Sequence, residues 1–466
     1  MALTESQNSG RPAWAPLASL AAHARAQVHA WLNDSGDRSM AKRIASAAFL
    51  IRVFSAGLIY LSQILLARWM GSFEFGIYVY VWTLVALVGD LADLGFGTAA
   101  QRFVPEYGKR CSFDLLRGFL ARSRWLAVGS ATVLAATGIL TVRLLEPYLA
   151  SYIVLPLSIA CATLPFYTLM QMQDGIARSH NWIHVALLPT YVVRHLLMLI
   201  VVSAAYLLNF PATAEMAVMA VMAVAGALTL TVIGQTIVLN RKLARAVPPG
   251  PKAYESRAWL AVSLPIFVVE GFYLLLTNAD VVILQYFRTP DDVAVYYAAA
   301  KTLALIAFVH FAVSAAVAHR FSEYHVAKDH ERLKDILAHS IRWTFWGSLA
   351  ASVVLLAMGR PLLSLFGARF VEGYHLMLIL VVGLMARASV GPVERLLNML
   401  GEQRACAAVY ATAFAINVVL CILLVPRMGA EGAAVSISTA LVVESILLFV
   451  VTRHRLGFHV FVWGRS

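Results

Sequence analysis

Apolar residues in this chain neither alternate nor keep to one helical face; they come in long runs. Stretches of about 20 apolar residues, the length that crosses a hydrocarbon core, occur twelve times. They lie near residues 44–68, 77–101, 119–142, 148–172, 184–208, 215–239, 258–284, 294–318, 339–359, 371–394, 405–426 and 432–452. Such runs predict helices that satisfy their own backbone polar groups in lipid. The tenth is the most interrupted, because Arg387, Pro392 and Glu394 fall in its second half. No connection is long enough to hold a soluble domain. The expected fold is an all-α polytopic membrane protein of about twelve transmembrane helices.

Composition agrees. Of 466 residues, 60% are hydrophobic and only 13% charged, against about 25% charged in soluble chains; the mean hydropathy is +0.74. Lys and Arg crowd the N-terminal arm, the even-numbered loops and the C-terminal tail, and are sparse in the odd-numbered loops. That asymmetry predicts that both termini are cytoplasmic. It also accounts for the formal charge of +12, so the basic balance does not point to nucleic acid. Residues 1–43 lack the apolar core of a cleavable signal peptide. Trp14, Leu17, Ala21, Val28 and Trp31 share a helical face there, which predicts an amphipathic arm on the cytoplasmic leaflet, with a disordered leader as the alternative. Cys111, Cys161, Cys406 and Cys421 show no metal-ligand spacing and read as reduced structural thiols.

A basic, Pro-rich stretch around Val247–Lys252 divides the chain. The predicted parts are an N-lobe over 44–239, a linker over 240–257, a C-lobe over 258–452 and a cytoplasmic tail over 453–466. Six spans fall in each lobe, so both lobes enter from the cytoplasm as a parallel repeat. Two six-helix bundles facing each other would enclose a cavity, as transporters do. The first turns of the lobes echo each other. Gly71-Ser72-Phe73-Glu74-Phe75-Gly76-Ile77-Tyr78 and Asp291-Asp292-Val293-Ala294-Val295-Tyr296 both place an acidic residue four positions before a Tyr.

On these residues the chain resembles polysaccharide repeat-unit (Wzx-type) flippases of the multidrug/oligosaccharidyl-lipid/polysaccharide (MOP) transporter superfamily, which includes the MATE exporters. Gly71 through Tyr78 resembles the family's first turn, and Asp93-Leu94-Gly95 the close of its second helix. Asp280, Tyr296 and Lys301 are similar to its seventh and eighth helices. Phe366-Gly367, Phe370 and Leu380 resemble the start of the tenth. Asn417 through Pro426, then Gly429, Gly432, Ala433 and Ala434, resemble the last hairpin. Ala294 departs from the pattern, standing where Gly76 stands in the first lobe. The resemblance implies two six-helix bundles working by alternating access in the bacterial inner membrane. It further implies a cargo of undecaprenyl-diphosphate-linked oligosaccharide for exopolysaccharide or O-antigen-type synthesis, and contact with membrane lipids and with polysaccharide polymerase or export machinery.

Charges inside the runs need a reason, since each costs about 2.5–3.5 kcal/mol on insertion scales near the bilayer centre. Arg52, Ser55 and Gln63 share a face of the first span, and Asp90 and Asp93 a stripe of the second. An Arg52–Asp90 or Arg52–Asp93 ion pair and a free lumen cation both fit Arg52. Ser263, Glu270, Tyr273, Thr277 and Asp280 form one face of the seventh span. Lys301 fits either a pair with Asp280 or a phosphate contact. His310 lies opposite Lys301 on an ideal helix and reads as packed. Arg194 and His195 point apart, one of them into the cavity. Arg387 and Glu444 complete the set. A cationic cavity of Arg52, Arg194, Lys301 and Arg387 suits a diphosphate cargo, with Asp90, Asp93, Glu270, Asp280 and Glu444 as candidates for ion coupling or pairing.

Two other readings compete. A cation-coupled multidrug exporter of the same superfamily needs an acidic cavity, for which Glu270 and Asp280 are available. A membrane-embedded polymerase or glycosyltransferase needs a long external loop, and none is present. No nucleotide-binding Gly-rich loop, metal triad or nucleophile–base spacing occurs either, so a transporter without cofactor is expected. The Gly-Asp-Arg loop of major-facilitator carriers is absent, Arg102 through Arg110 standing in its place.

Overall fold

A computed structural model describes residues 37–208, 216–326 and 329–463; the expected amphipathic helix around Trp14–Trp31 lies outside them. The chain divides into two compact units, Met1–Leu50 and Ile51–Ser466. In the first, the described residues are helical from Asp37 onward. Everything below concerns the second, in which the described residues include no strand.

Among the described residues, eleven helical segments are long and apolar enough to cross a membrane. The first, Leu50–Lys109, has 60 residues and would be about 90 Å long if straight, three times a hydrocarbon core. It breaks at Gly71, whose φ of 75° and ψ of 172° are not helical, and folds back so that Arg52 and Asp90 line one chamber. Divided there, it supplies the first two of the twelve expected spans. The others run through Phe113–Leu144, Ser151–Ser179, Ile183–Leu207, Met216–Ala246, Ser256–Phe287, Pro290–Val326, His330–Ala357, Tyr374–Val390, Gln403–Met428 and Ala430–Leu456. The third span packs along the fourth, and the eleventh along the seventh and twelfth. Trp125, Leu140, Ile200, Trp343 and Val382 stand exposed, a distribution suited to hydrocarbon and not to water.

Four spans are not continuous α-helix. The second stops at Ala92, turns through Asp93, Leu94 (φ 54°) and Gly95 (φ 73°), and resumes over Phe96–Lys109. The fifth contains a π-helical turn at Pro189–Val193. The eighth tightens to a 3-10 turn at Ala304–Ile306. The tenth ends at Val390, and after Gly391 (φ 62°) and Pro392 a short helix, Val393–Met399, sets off. Pro392 thus marks a real break, as the sequence indicated.

The linker is pinned to the start of the third span. Arg117 donates to the carbonyls of Pro248 and Pro251, both at 2.7 Å, and the Ala253 N–H donates to Asp114 O at 3.0 Å. The C-terminal tail also packs: Phe458, Val460 and Val462 are buried, and the Val462 N–H donates to Ser389 O at 3.1 Å.

The two turns that echo each other in sequence touch each other in space. Ser72 Oγ donates to Asp291, and a Cβ placed on Gly76 would sit 1.8 Å from the Pro290 carbonyl oxygen. Backbone meets backbone at that point, so only glycine fits. Gly76→Ala is therefore expected to destabilise by about 1–3 kcal/mol, the usual cost of overpacking. A lowered thermal unfolding midpoint of the detergent-solubilised chain checks it; an unchanged midpoint would show that the contact yields freely.

Candidate functional site

The broken spans surround two adjoining chambers. The larger, of about 590 Å³, lies among the first, seventh, eighth and tenth spans, and its charged lining is Arg52, Glu270, His310, Arg387, Glu394 and Arg395. The smaller, about 300 Å³, lies against the second and fourth spans. It is lined by Asp90, Asp93, Asp174 and Glu270 with Arg52 and Arg178. Arg52, Tyr191, Glu270 and Tyr273 belong to both walls. One chamber is thus weighted towards arginine and aromatic rings, the other towards carboxylates.

Most of these charges are matched internally. In the smaller chamber Arg178 grips Asp174 with two contacts, at 2.5 and 3.1 Å. Asp90 accepts from Gln171 at 2.9 Å. Asp93 Oδ2 accepts the Gly97 N–H at 2.7 Å, capping the resumed helix, while its buried Oδ1 has no hydrogen-bond partner. Glu270 is exposed to the chambers and accepts from Thr98 at 3.0 Å. In the larger chamber the break at Gly391-Pro392 swings Glu394 back beside Arg387, at 3.1 Å. Arg387 also faces the fully buried Glu444 at 3.7 Å, and Tyr410 donates to Glu394 at 2.5 Å. Two carboxylates therefore hold one arginine.

Arg52 is different. Its guanidinium carbon lies over the rings of Tyr191 and Phe311, 5.0 and 4.9 Å from their centroids. It forms no ion pair among the described residues. Of the two readings open for Arg52, the pair with Asp90 or Asp93 is not made; those carboxylates take Gln171 and the Gly97 N–H as donors. A cation–π contact uses no N–H donor of the guanidinium, so the donors remain for an anion.

Two expected lumen cations lie elsewhere. Lys301 Nζ sits over the Tyr297 ring at 4.9 Å, and Arg194 over Trp82 at 4.9 Å; neither lines a chamber. Asp280 takes the hydroxyl of Tyr296 and the Val281 N–H (3.0 Å), and makes no ion pair with Lys301. His310, which read as packed, lines the larger chamber. Both displacements follow from helix breaks: the 3-10 turn lies between Lys301 and His310, and the π turn directly precedes Arg194. Sequence reasoning also passed over Tyr191, Phe311, Asp174, Arg178 and Arg395. Pro189, two residues before Tyr191, was the available signal for the turn that presents it.

One end of the bundle is sealed. Tyr60, Phe366, Phe370, Phe75 and Tyr297 form a chain of ring contacts with centroid separations of 5.5–6.3 Å. Beyond this plug, Asp291 receives Ser72 Oγ and Arg369 Nη1, the latter at 2.9 Å, and Arg68 Nε donates to Leu365 O at 3.0 Å.

Comparison with known proteins agrees with this geometry. Residues 42–325 match the family described as polysaccharide biosynthesis protein. The chain belongs to that family. The chain also matches the MatE family over residues 265–423. No curated protein matches it. Among solved structures it is similar to the lipid II flippase MurJ in an inward closed conformation, with 14% identity, 87% of each chain covered and a TM-score of 0.68. It is similar too to a multidrug resistance MATE family transporter of the MOP superfamily in its inward-facing form, at 15% identity, 88% and 98% coverage and a TM-score of 0.68. The outward-facing form gives 15%, 89% and 96%, and 0.67. The family member is a multi-pass membrane protein with the MOP fold.

Removing Arg387 strands the fully buried Glu444 and takes one partner from the half-buried Glu394, so Arg387→Ala is expected to cost about 3–5 kcal/mol, the loss seen when one partner of a buried pair is deleted. Glu444→Gln added to it should restore part of that. Unfolding midpoints of the single and double variants check both; equal midpoints for Arg387→Ala and the unaltered protein would dissolve the network.

Proposed function

We propose that this family member is a flippase that carries a polyprenyl-diphosphate-linked oligosaccharide, with undecaprenol as the lipid, across the inner membrane by alternating access. The observation that carries the reading is Arg52: a cation on the wall common to both chambers, in contact with two rings and paired with no carboxylate among the described residues. A diphosphate leaving water needs charge-assisted donors, and a guanidinium presents them in a planar fork. Tyr191, Tyr273, Phe311 and Tyr410 on the larger chamber's wall supply rings and hydroxyls for sugars. Arg387, already shared between two carboxylates, would tune the field and leave the grip on cargo to Arg52.

The Lys and Arg distribution puts the sealed end on the periplasmic side and the termini in the cytoplasm. Rocking of the 44–239 and 258–452 lobes would part Tyr60, Phe75 and Phe370 there. Such a protein performs no covalent chemistry and would hand its cargo to polymerase or export machinery. The acidic lining of the smaller chamber favours a second reading, a cation-coupled exporter, in which Asp90, Asp93 and Glu270 would carry the ion. Asp280 and Glu444 are buried against internal partners and are the weaker candidates.

The test is flipping of a labelled polyprenyl-diphosphate saccharide in proteoliposomes. Arg52→Ala should slow it by about ten- to a hundredfold, the kinetic equivalent of a charged hydrogen bond worth about 1.5–3 kcal/mol. Arg52→Lys should recover only part, because an ammonium neither stacks nor forks. Flipping at the unaltered rate in both variants would remove the cargo assignment.

A further inference from the structure

Outside the aromatic plug lies a third cavity that the transport path does not require, about 380 Å³ in volume, whose lining includes Arg68, Gly71, Ser72, Gly367 and Arg369. Two arginines face it, and its lining residues include no carboxylate. Their donors are only partly used. Arg68 spends Nε on the Leu365 carbonyl, and Arg369 spends Nη1 on Asp291. A guanidinium has five N–H donors, so most of both forks remain for another acceptor. Gly71 and Gly367 frame the space with φ of 75° and 142°, a left-handed backbone that side chains rarely adopt, and a Cβ on Gly71 would meet nothing within 4 Å. The Ser72 hydroxyl, whose proton goes to Asp291 here, becomes a third donor to the space once that carboxylate is displaced. Two forks, a hydroxyl and bare glycine backbone make a lining suited to a tetrahedral oxyanion.

The same residues also hold this end shut. Asp291 starts the eighth span, Ser72 belongs to the first turn and Arg369 to the Ala368–Gly373 segment before the tenth. Asp291 is the single acceptor joining the three. The Arg369 side chain is 52% exposed and the Asp291 side chain 15%, so the pair is partly solvated and yields to a better anion.

We propose that this cavity is a phosphate-binding subsite, and that an occupying phosphate competes with Asp291 for Arg369 and so loosens the clasp. A phosphoryl oxygen offers Arg68 and Arg369 together what Asp291 offers Arg369 alone. Two sources carry that chemistry at this end of the bundle: the headgroup of a membrane lipid, and the diphosphate of a cargo. The site stands on its own geometry; a cargo diphosphate as its natural occupant rests on the flippase reading above.

The probe is inorganic pyrophosphate, titrated calorimetrically against the full-length protein in nanodiscs of phosphatidylcholine. Arg52→Ala is the reference background, because it removes the chamber cation that the flippase reading assigns to the cargo. In that background, Arg68→Gln with Arg369→Gln should weaken binding at least tenfold, and Asp291→Asn should tighten it several-fold by freeing Arg369. Unchanged affinity in the Gln pair overturns the subsite, and unchanged or weaker affinity in Asp291→Asn overturns the competition. Asp291→Asn leaves both arginines in place, so it stays informative should the Gln pair fail to fold. Phosphatidylglycerol in the nanodiscs separates the sources: loss of pyrophosphate binding through Arg68 and Arg369 assigns the site to lipid headgroups, and its persistence to the diphosphate. Pyrophosphate binding that survives here while flipping ignores Arg52→Ala would sink the cargo assignment and leave this subsite standing.

Discussion

A charge inside a hydrocarbon-clad protein must find a partner or water, and the interior of this molecule is arranged by that demand. Asp174 is answered by Arg178, Glu394 by Arg387 and Tyr410, and Asp280 by Tyr296. Each answer crosses from one segment to another or spans one helical turn, so each fixes a local register. Arg52, Arg194 and Lys301 have rings in place of a counter-charge among the described residues. Of these three cations only Arg52 borders the chambers, and it borders both.

Backbone obeys the same rule. Irregular segments survive at membrane depth only where protein or a cavity satisfies the freed peptide groups. All four breaks meet that condition. Asp93 and Gly95 line the smaller chamber, Ala304 and Ile306 the larger one, and Tyr191, within the π turn, lines both. Ala388 and Glu394 bracket the break in the tenth span on the larger chamber's wall. Side-chain charge and broken backbone therefore mark the same volume independently. A packed core would have no use for either.

That coincidence explains what the sequence could and could not tell. Runs of apolar residues need only length to be read, and the spans emerged within a few residues, with the first two recognisable as a pair from Gly71 onward. The interruption of the tenth span was legible as well, from Arg387, Pro392 and Glu394, but Glu394 read only as an interruption and not as a partner of Arg387. The orientation of side chains beyond a break was not. Projecting Lys301 and His310 on one ideal helix puts them on opposite faces and favours Lys301 for the lumen. The turn at Ala304–Ile306 changes the phase between them, and His310 lines the chamber instead. Arg194 follows Pro189–Val193 and is carried to Trp82 in the same way, while Tyr191 takes the wall. Periodicity is reliable within a helix and loses its phase at functional sites, which is where helices break.

The two closures at the sealed end differ in kind. Rings of the plug each contribute on the order of 0.5–1.5 kcal/mol beyond their buried area, while a partly exposed ion pair such as Arg369–Asp291 contributes about 0–1 kcal/mol. The plug therefore supplies most of the holding energy, and the clasp sets which surfaces meet: Gly76 must face Pro290 to within van der Waals distance, and only one alignment allows it. A transporter needs this division. Closure must be loose enough for a passenger's differential affinity of a few kcal/mol to reverse it, yet it must return to one geometry each cycle. Apolar contact is additive and tolerant of sliding; a shared carboxylate acceptor and a glycine contact are neither. Placing the tolerant element inside and the exacting one outside lets the plug open by degrees while the clasp makes the closed state discrete.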